Sequence, residues 1–404
     1  MVYGGLGRHV HGLAQAQARL GHDVTVLTQS VEGTTVDERV GGVRIVRVGN
    51  DIPGPLHEDL LGWVAGLGRA LTRAGLRVGG NTKPEVLHAH DWVTCDAGLA
   101  LQLALRVPLV ATVHATESGR HQGWLPGSTS RGINATEVRL TGGAARVITC
   151  SKAMREEVIR LFDLSERKVD VIANGIDLAQ WPVAASRRRA RARASWAPHG
   201  PLIVCAGRLE YEKGIHTLLD ALPRLRRQHP GLRAVVAGRG TYSDELKATA
   251  RRLRLGSSVT FAGFLTDHDL AELVGAADVA VVPSLYEPFG MVALEAVAVG
   301  TPLVAADTGG LRELVEPAVT GLRFPAGNAG ELARAVHTQL EDPVSARRMA
   351  RTARARLATG HDWSSIAAAT AASYRNALAD WAPHNRVSAA PAPVGCLRVS
   401  SPCE

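Results

Sequence analysis

The sequence predicts an α/β protein built from two Rossmann-like, doubly wound domains that face a cleft. Short β-branched apolar runs alternate with helical patterns along both halves of the chain, which is typical of mainly parallel sheets. The chain has 404 residues, more than one hydrophobic core usually supports. An Asn174-Gly175 turn and a proline-bounded stretch at 182–200 separate the two series of runs.

The first series lies in the amino-terminal half. It comprises the predicted strands 23–28, 43–48, 85–88, 109–113 and 146–150. A glycine-rich turn around Gly5 opens an amphipathic helix at 8–20, and such a turn normally follows a central strand. No strand precedes it, so the first strand of this domain is expected to be missing. We expect the natural chain to begin roughly a dozen residues earlier, a strand plus a loop.

The second series lies in the carboxy-terminal half. It comprises the predicted strands 202–206, 233–237, 258–261, 278–282, 302–305 and 321–324. We predict an amino-terminal acceptor domain over 1–182, a linker over 183–200 and a carboxy-terminal nucleotide-sugar domain over 201–362. A helix over 363–382 is expected to pack back on the amino-terminal domain. The tail 383–404 lacks periodicity and is expected to be disordered.

Composition narrows the class of protein. Apolar residues make up 46% and charged residues 21%, as in proteins with ordinary cores. The absence of a long uncharged apolar run and of a signal-peptide pattern predicts a cytoplasmic protein. The five cysteines are scattered, so we interpret them as reduced.

The net charge of +8 invites a nucleic-acid or membrane interpretation. The excess arginines lie in runs at 187–193, 224–227 and 251–254, and aromatic residues are only 4%. Binding of single-stranded nucleic acid needs basic and aromatic residues together, so we predict none. Weak attraction to an anionic membrane needs no motif and stays open. The sequence leaves the oligomeric state undetermined.

The most informative segment is residues 284–296, which follow a predicted strand ending at Val282. Ligands bind at this edge of open α/β sheets. Pro288 suits the first turn of a helix, and Gly290 permits close backbone approach. Free amides at the helix start then predict an anion site for phosphate. The residues supplying those amides are Phe289, Gly290, Met291 and Val292.

Glu295 is predicted two turns into the same apolar helix, where an unpaired carboxylate is costly. Ribose or sugar hydroxyls would satisfy it, and so would an ion pair with a core arginine such as Arg312. Arg208 and Lys213 follow the predicted strand 202–206 and would face the same crevice. Two cations there could neutralise a leaving diphosphate; the alternative is surface pairing with Glu210 and Glu212.

These motifs resemble glycosyltransferase family 4, whose members have the GT-B fold. The resemblance is carried by Gly-Arg-Leu-x-x-x-Lys-Gly at 207–214, Glu-Pro-Phe-Gly-x-x-x-x-Glu at 287–295 and Thr-Gly-Gly at 308–310 followed by Glu313. It extends from the glycine-rich turn beyond Trp363. The segments 88–92, 114–120 and 174–177 are similar to the glycogen and starch synthase branch, most closely bacterial α-1,4-glucosyltransferases of glucan or methylglucose polysaccharide synthesis.

The resemblance implies a retaining hexosyltransferase that moves an α-glucosyl group from UDP-glucose or ADP-glucose to a glucan or related glycan. It assigns the transferred sugar to Glu287, the ribose to Glu295 and the diphosphate to Arg208 and Lys213. No permanently bound cofactor and no metal are expected. No carboxylate identifies itself as a nucleophile for double displacement, and the resemblance favours front-face substitution.

From the amino-terminal side, the resemblance implies that His114 and Asn174 contact the sugar and that Gly5 approaches the phosphates. Bacterial glycogen synthases have Lys two residues before the Gly-Gly pair, where this chain has Val2. Assignment as a strict glycogen synthase is therefore left open. Domain closure is expected, because the site residues lie on both domains.

Two segments resemble metal sites. Asp267-His268-Asp269 has a D-x-D pattern, but Thr266 ahead of it predicts a helix cap. His88 and His90 alternate at a strand end, and we expect their rings to point to opposite faces and not to share a metal. His88 is then a packed core histidine.

Three alternatives remain open. The first is a mannosyl- or other hexosyltransferase with a lipid-linked or small-molecule acceptor. The second is a GT-B epimerase or hydrolase, which would need a further pair of groups to activate water. The third is a binding protein that has lost catalysis, against which the complete set Glu287, His114, Arg208 and Lys213 argues.

Overall fold

The computed structural model describes residues 4–30, 33–52 and 59–387. Helices and strands alternate through most of this range. The amino-terminal half contains α1 (Gly4–Arg19), β1 (Thr25–Gln29), β2 (Val36–Val40), β3 (Val43–Val48), α2 (Leu60–Thr82), β4 (Leu87–His90), α3 (Cys95–Leu105), β5 (Leu109–Val113), α4 (Glu117–Arg120), α5 (Gly127–Gly143), β6 (Arg146–Thr149), α6 (Lys152–Phe162) and β7 (Val169–Val171).

The carboxy-terminal half repeats the alternation. It contains α7 (Ser186–Trp196), β8 (Leu202–Ala206), α8 (Ile215–Gln228), β9 (Arg233–Ala237), α9 (Ser243–Arg252), β10 (Val259–Gly263), α10 (Asp267–Ala276), β11 (Val279–Val282), α11 (Met291–Ala298), β12 (Leu303–Ala306), α12 (Leu311–Leu314), β13 (Leu322–Phe324), α13 (Ala329–Glu341), α14 (Pro343–Gly360) and α15 (Trp363–Val387).

One parallel sheet organises the carboxy-terminal half, in the order β10-β9-β8-β11-β12-β13. Its central strands are apolar throughout, and Leu202, Ile203 and Val235 are fully buried. Such continuous burial requires helices on both faces of the sheet. The order reverses between β8 and β11, so a crevice opens beside the ends of these two strands.

The strands of the amino-terminal half fall into two sheets, β1-β3-β2 and β4-β5-β6-β7. Strands β1 and β4 are therefore edges, and β1 is only half-buried. Helix α1 begins at Gly4, the first described residue, so the missing first strand stays a prediction. Whether a natural chain starts earlier stays a prediction, and the Val2 position lies outside the described residues.

Two strands were not predicted. Strand β2 is polar and mostly exposed, and it forms an antiparallel hairpin with β3 through Gly41 and Gly42. Both glycines have positive φ, 58° and 85°, which suits a tight hairpin turn. Strand β7 has only three residues and carries Asp170 at its centre, too short a run for a periodicity signal.

Helix α15 packs on α1, although the two helices are far apart in sequence. Gln17 Nε2 donates to the Ala367 carbonyl at 2.9 Å, and the Trp363 ring covers Gly12 so closely that a Cβ there would lie 2.3 Å from it. Helix α15 continues past residue 382 to Val387. The predicted tail beyond that point lies outside the described residues, and the domain boundaries stay predictions. Among the described residues, no helix has the length and apolarity needed to cross a bilayer.

Candidate active site

Glu287 lies in the loop between β11 and α11, at the crevice. Its Oε2 atom accepts from Lys213 Nζ at 2.9 Å and from Ser284 Oγ at 3.0 Å. The side chains of Glu287 and Lys213 are only 14% and 20% exposed. A lysine–carboxylate pair this shielded from water is firmly oriented. The structure therefore brings together two residues that the sequence assigned to one site.

Neighbouring turns hold this loop in place. The Glu212 carbonyl accepts from the Leu285 N–H at 2.8 Å, and a Cβ on Gly214 would lie 2.1 Å from the Pro283 carbonyl oxygen. On the other side, Gly310 N–H donates to the Glu287 carbonyl at 2.9 Å. The two glycine-containing motifs thus permit backbone approaches that side chains would block.

Helix α11 begins at Met291, so the prediction that Pro288 lies in its first turn was wrong. Gly290 precedes the helix with φ 111°, and this backbone conformation delays the helix start. Leu294 N–H donates to the Gly290 carbonyl at 3.1 Å. The amides of Met291, Val292 and Ala293 therefore form the first turn, where amides have no intrahelical acceptor. Phe289 and Gly290, which were predicted to supply such amides, lie before the helix.

The glycine-rich segment 4–7 faces this helix start. It was predicted as a turn ahead of a helix at 8–20, but it forms the first turn of α1. A Cβ built on Gly5 would have Met291 Cγ as its nearest neighbour, at 3.8 Å. Ser151 Oγ donates to the Pro288 carbonyl at 2.6 Å, and Phe289 is buried. The amino end of α11 therefore lies where the two halves meet.

Arg208 pairs with Glu212 at the surface, as the alternative interpretation of this residue predicted. Its Nη2 atom donates to Glu212 Oε1 at 2.9 Å, and its side chain is 54% exposed. Lys213 does not pair with Glu210 or Glu212 but with Glu287. Arg208 is thus at the crevice yet free to turn, because exposed ion pairs of this kind contribute little.

Glu295 is buried, with 1% exposure, and lies just over one turn into α11. Arg312 pairs with Asp307, so the suggested Arg312–Glu295 pair is wrong. Arg8 of α1 fills that role instead, with Nη1 2.7 Å from Glu295 Oε1. Burial raises the pKa of Glu295 to about 7, although the Arg8 charge opposes the rise.

The Arg8–Glu295 contact is an ion pair without hydrogen-bond geometry. Neither carboxylate oxygen of Glu295, nor Arg8 Nε, has a hydrogen-bond partner among the described residues. A buried carboxylate in this state can still accept hydrogen bonds from hydroxyls.

His114 follows β5 and belongs to a group of three histidines, of which His9 is buried and His90 and His114 are half-buried. Its backbone N–H donates to Asp91 Oδ1 at 2.7 Å, and its Nε2 lies 3.1 Å from His90 Nδ1. His9 of α1 contacts the same ring, with centroids 4.8 Å apart. Burial lowers the pKa of His114 to about 4 and the pKa values of His9 and His90 well below their usual range. All three rings are neutral at pH 7.

The expectation that His88 and His90 point to opposite faces was wrong. Residues two apart on a strand share a face, and the two ring centroids are 4.2 Å apart. Both nitrogens of His88 are used, one by Tyr374 Oη at 2.8 Å and one by Thr112 Oγ1 at 2.7 Å. His88 is thus a packed histidine, as expected, that supports His90.

Asn174 lies in the turn after β7 and is 6% exposed. Its side-chain Oδ1 has no hydrogen-bond partner among the described residues. Its backbone carbonyl accepts from His361 Nδ1 at 3.1 Å, and the His361 ring lies 5.8 Å from that of Phe289. The histidine before α15 thus links Asn174 to the candidate site.

Tyr286 crosses from the carboxy-terminal half into the amino-terminal half. Its hydroxyl donates to Glu157 Oε1 at 2.9 Å and accepts from the Thr116 N–H at 3.1 Å. A Cβ on Gly119 would lie 2.3 Å from the ring, so the ring fits only against glycine. These contacts join the two halves, and domain closure stays a prediction.

The D-x-D segment forms the start of α10, where Thr266 Oγ1 accepts from the Asp269 N–H at 3.2 Å. This agrees with the predicted helix cap. Sequence reasoning missed Arg8, His9 and Tyr286. Their positions beside the glycine-rich segment and beside Glu287 were a signal. The partners of Arg8 and Tyr286 lie across the interface between the halves, and those of His9 lie far along the chain.

Comparisons with known proteins agree with this geometry. Residues 3–180 match the family model Glycosyltransferase Family 4, and residues 186–356 match Glycosyl transferases group 1. A glycogen synthase of Mycobacterium tuberculosis strain H37Rv is 44% identical over 93% of this chain and 91% of that protein. A D-inositol 3-phosphate glycosyltransferase of Kineococcus radiotolerans is 34% identical, over 93% and 91%.

Among solved structures, sucrose-phosphate synthase from Thermosynechococcus elongatus has a TM-score of 0.79 at 27% identity, over 93% of this chain and 94% of that one. Fold and site together define a GT-B glycosyltransferase. Within that class, the chain belongs to glycosyltransferase family 4 and to its glycogen synthase-like branch. The family and fold expected from the motifs are confirmed.

Proposed function

We propose that the protein is a retaining hexosyltransferase that moves an α-glucosyl group from UDP-glucose or ADP-glucose to a glucan or related glycan. The observation that carries the proposal is the shielded Lys213–Glu287 pair at the crevice, beside the amino end of α11. The likeness to a glycogen synthase at 44% identity supports the glucosyl donor and the glycan acceptor.

The diphosphate is assigned to the amino end of α11 together with Lys213 and Arg208. Lys213 Nζ uses one of its donors on Glu287, so two remain for phosphate oxygens. Amides at a helix start favour an anion. We assign the Gly5 backbone of the amino-terminal half to the same phosphates. Arg208 is exposed enough to turn onto the leaving phosphate.

The sugar is assigned to Glu287 from one side and to His114 and Asn174 from the other. Glu287 Oε1 has no protein donor among the described residues, so it can accept from sugar hydroxyls. Asn174 Oδ1 also lacks a donor. The ribose is assigned to Glu295, whose oxygens lack hydrogen-bonded partners; Arg8 must share the carboxylate or move as the donor binds.

The proposed mechanism is front-face substitution. The bond from the anomeric carbon to the donor phosphate oxygen breaks, and the acceptor hydroxyl oxygen bonds to the same face of that carbon. The departing phosphate takes the hydroxyl proton while Arg208 and Lys213 stabilise its negative charge. No group in this scheme requires a metal. A cytoplasmic location and weak membrane association stay predictions.

The test is release of nucleoside diphosphate from a panel of nucleotide sugars, with and without a short α-1,4-glucan. We expect the fastest release from UDP-glucose or ADP-glucose with the glucan present. The product should keep the α configuration at the new linkage, as read by NMR. Release from no donor would refute the transferase proposal.

A second candidate is a hexosyltransferase with a small-molecule acceptor. The 34% identity to a D-inositol 3-phosphate glycosyltransferase over 93% of the chain favours it. The same panel should therefore include inositol 3-phosphate. Acceleration by this acceptor and not by the glucan would select the second candidate.

A further inference from the structure

We propose that His9, His90 and His114 form a binding site for a transition-metal ion such as Zn²⁺, and that the bound ion inhibits sugar transfer by occupying His114. The binding can be measured without any substrate. The inhibitory role rests on the proposed function.

The three imidazoles have the spacing that one ion requires. Each offers a nitrogen, and the three nitrogens lie within 4.8 Å of one another. The ring centroids are 5.6, 4.8 and 5.4 Å apart for the pairs His9–His90, His9–His114 and His90–His114. Zn–N bonds of about 2.0–2.1 Å in tetrahedral geometry place such centroids about 5 Å apart. Small side-chain rotations would complete the site.

A poorly partnered nitrogen in this cluster points to a ligand. His9 is 5% exposed, and its Nδ1 makes no well-formed hydrogen bond among the described residues, although the Asn174 side chain interacts with the ring. A buried polar atom without a good hydrogen bond is costly, and a metal ion would relieve that cost. The His90 and His114 nitrogens, 3.1 Å apart, share a single proton that a metal ion can replace.

The chemistry of the cluster selects the kind of ion. Neutral imidazole is the metal-binding form of histidine, and imidazole suits Zn²⁺, Cu²⁺ and Ni²⁺ rather than Mg²⁺ or Ca²⁺. His88 is not a fourth ligand, because Tyr374 and Thr112 occupy its two nitrogens. Three ligands leave one coordination position open, as in catalytic rather than structural zinc sites.

The binding experiment must exclude a second cluster at the surface. His229 Nε2 lies 2.9 Å from His337 Nδ1, with Glu341 beside them. The titration therefore uses His337→Gln as its background. Zn²⁺ is titrated against a chromophoric chelator, and Co²⁺ absorption reports tetrahedral coordination. We expect one site per chain.

The matched variants lie on one helix. His9→Gln should weaken Zn²⁺ binding by at least about 10- to 100-fold, the range that loss of a supporting partner alone produces. His11→Gln, at an exposed position of α1, should leave it unchanged. Equal affinity in the two variants, or no binding in the background protein, would overturn the site. If His9→Gln does not fold by circular dichroism, His90→Gln replaces it.

Inhibition by Zn²⁺ is measured as a change in the rate at which the protein releases nucleoside diphosphate from its nucleotide-sugar donor. Zn²⁺ should slow nucleoside diphosphate release, and a chelator should restore it. In His9→Gln the release rate with Zn²⁺ should equal that variant's own rate without Zn²⁺. Stoichiometric binding without inhibition would overturn the inhibitory role. Failure of every donor would instead refute the proposed function, and the titration would still report on the metal site.

Discussion

The two halves of the molecule share one architecture but differ in how completely it is built. The carboxy-terminal half places six parallel strands in one sheet, whereas the amino-terminal half divides seven strands between two sheets. In the carboxy-terminal half, strand β8 is almost wholly buried, whereas in the amino-terminal half strand β1 is mostly half-buried. A strand's apolar pattern therefore predicts its existence, but its burial depends on its neighbours.

The candidate site shows the same contrast. Lys213, Ser284 and Glu287 hold one another within the carboxy-terminal half. The groups contributed by the amino-terminal half are of two kinds. His114 is held within that half by Asp91 and His90, whereas Arg8 finds its partner Glu295 in the other half. The carboxy-terminal part of the site is thus self-supporting, and the amino-terminal part is self-supporting only in part.

The largest expected effect is on Glu287. Glu287→Gln should lower kcat by about 10²–10³-fold, as removal of a preorganised electrostatic group does, while nucleotide affinity changes little. Steady-state kinetics and calorimetric titration with nucleoside diphosphate measure the two quantities. Glu316→Gln, an exposed carboxylate paired with Arg356, is the matched control. Equal losses in both variants would contradict the assignment.

Hydrogen exchange tests the contrast between the sheets. Amides of β1 and β3 should exchange at least about 100-fold faster than those of β8 and β11, since protection follows the free energy of local opening. Mass spectrometry of peptides from the two regions makes the comparison. Similar protection in both would show that the divided sheet is as stable as the continuous one.

The pH dependence of donor binding sharpens the role of Glu295. Its folded pKa is about 7, so the carboxylate that we propose to accept ribose hydroxyls is mostly ionised at pH 8 and mostly protonated at pH 6. Affinity for UDP-glucose or ADP-glucose should fall about tenfold over that range. Glu295→Gln should bind weakly with a flat profile. If donor affinity falls equally in Glu295→Gln, a different group is responsible for the pH dependence.

The free energy of unfolding should also depend on the ionisation of Glu295. It should fall as pH rises, whereas donor affinity should rise. The folded pKa of Glu295 lies above the model-peptide value of 4.5, so its burial costs stability that is absent below about pH 4.5 and complete above about pH 7. The melting temperature of Glu295→Gln relative to the natural residue should therefore rise with pH across this interval.

The smallest expected effect is on the contact between the halves. Tyr286→Phe removes a hydroxyl that bonds to Glu157 and to the Thr116 N–H, which is worth about 1 kcal/mol. Closure should weaken, with kcat/KM about five-fold lower and a larger radius of gyration by X-ray scattering. Tyr242→Phe, within the carboxy-terminal half, should change neither. If Tyr286→Phe leaves kcat/KM and the radius of gyration unchanged, other contacts determine closure.

The sequence by itself determined the fold class, eleven of the strands and the Glu287 and Lys213 assignments to one site. These follow from local patterns: apolar runs, helix caps and glycine turns act within a few residues. Helix α11 shows the limit, because Pro288 suggested an earlier start than the Gly290 conformation allows.

Only the tertiary structure decided the partners of Glu295 and Tyr286 and the grouping of His9, His90 and His114. These contacts join residues whose separation along the chain carries no periodic signal. The contacts of Glu295 and Tyr286 form because the two halves pack against each other. The three histidines meet because α1 packs beside the ends of β4 and β5. Each of these surfaces could pack against many others. A local sequence pattern therefore does not determine which two surfaces meet.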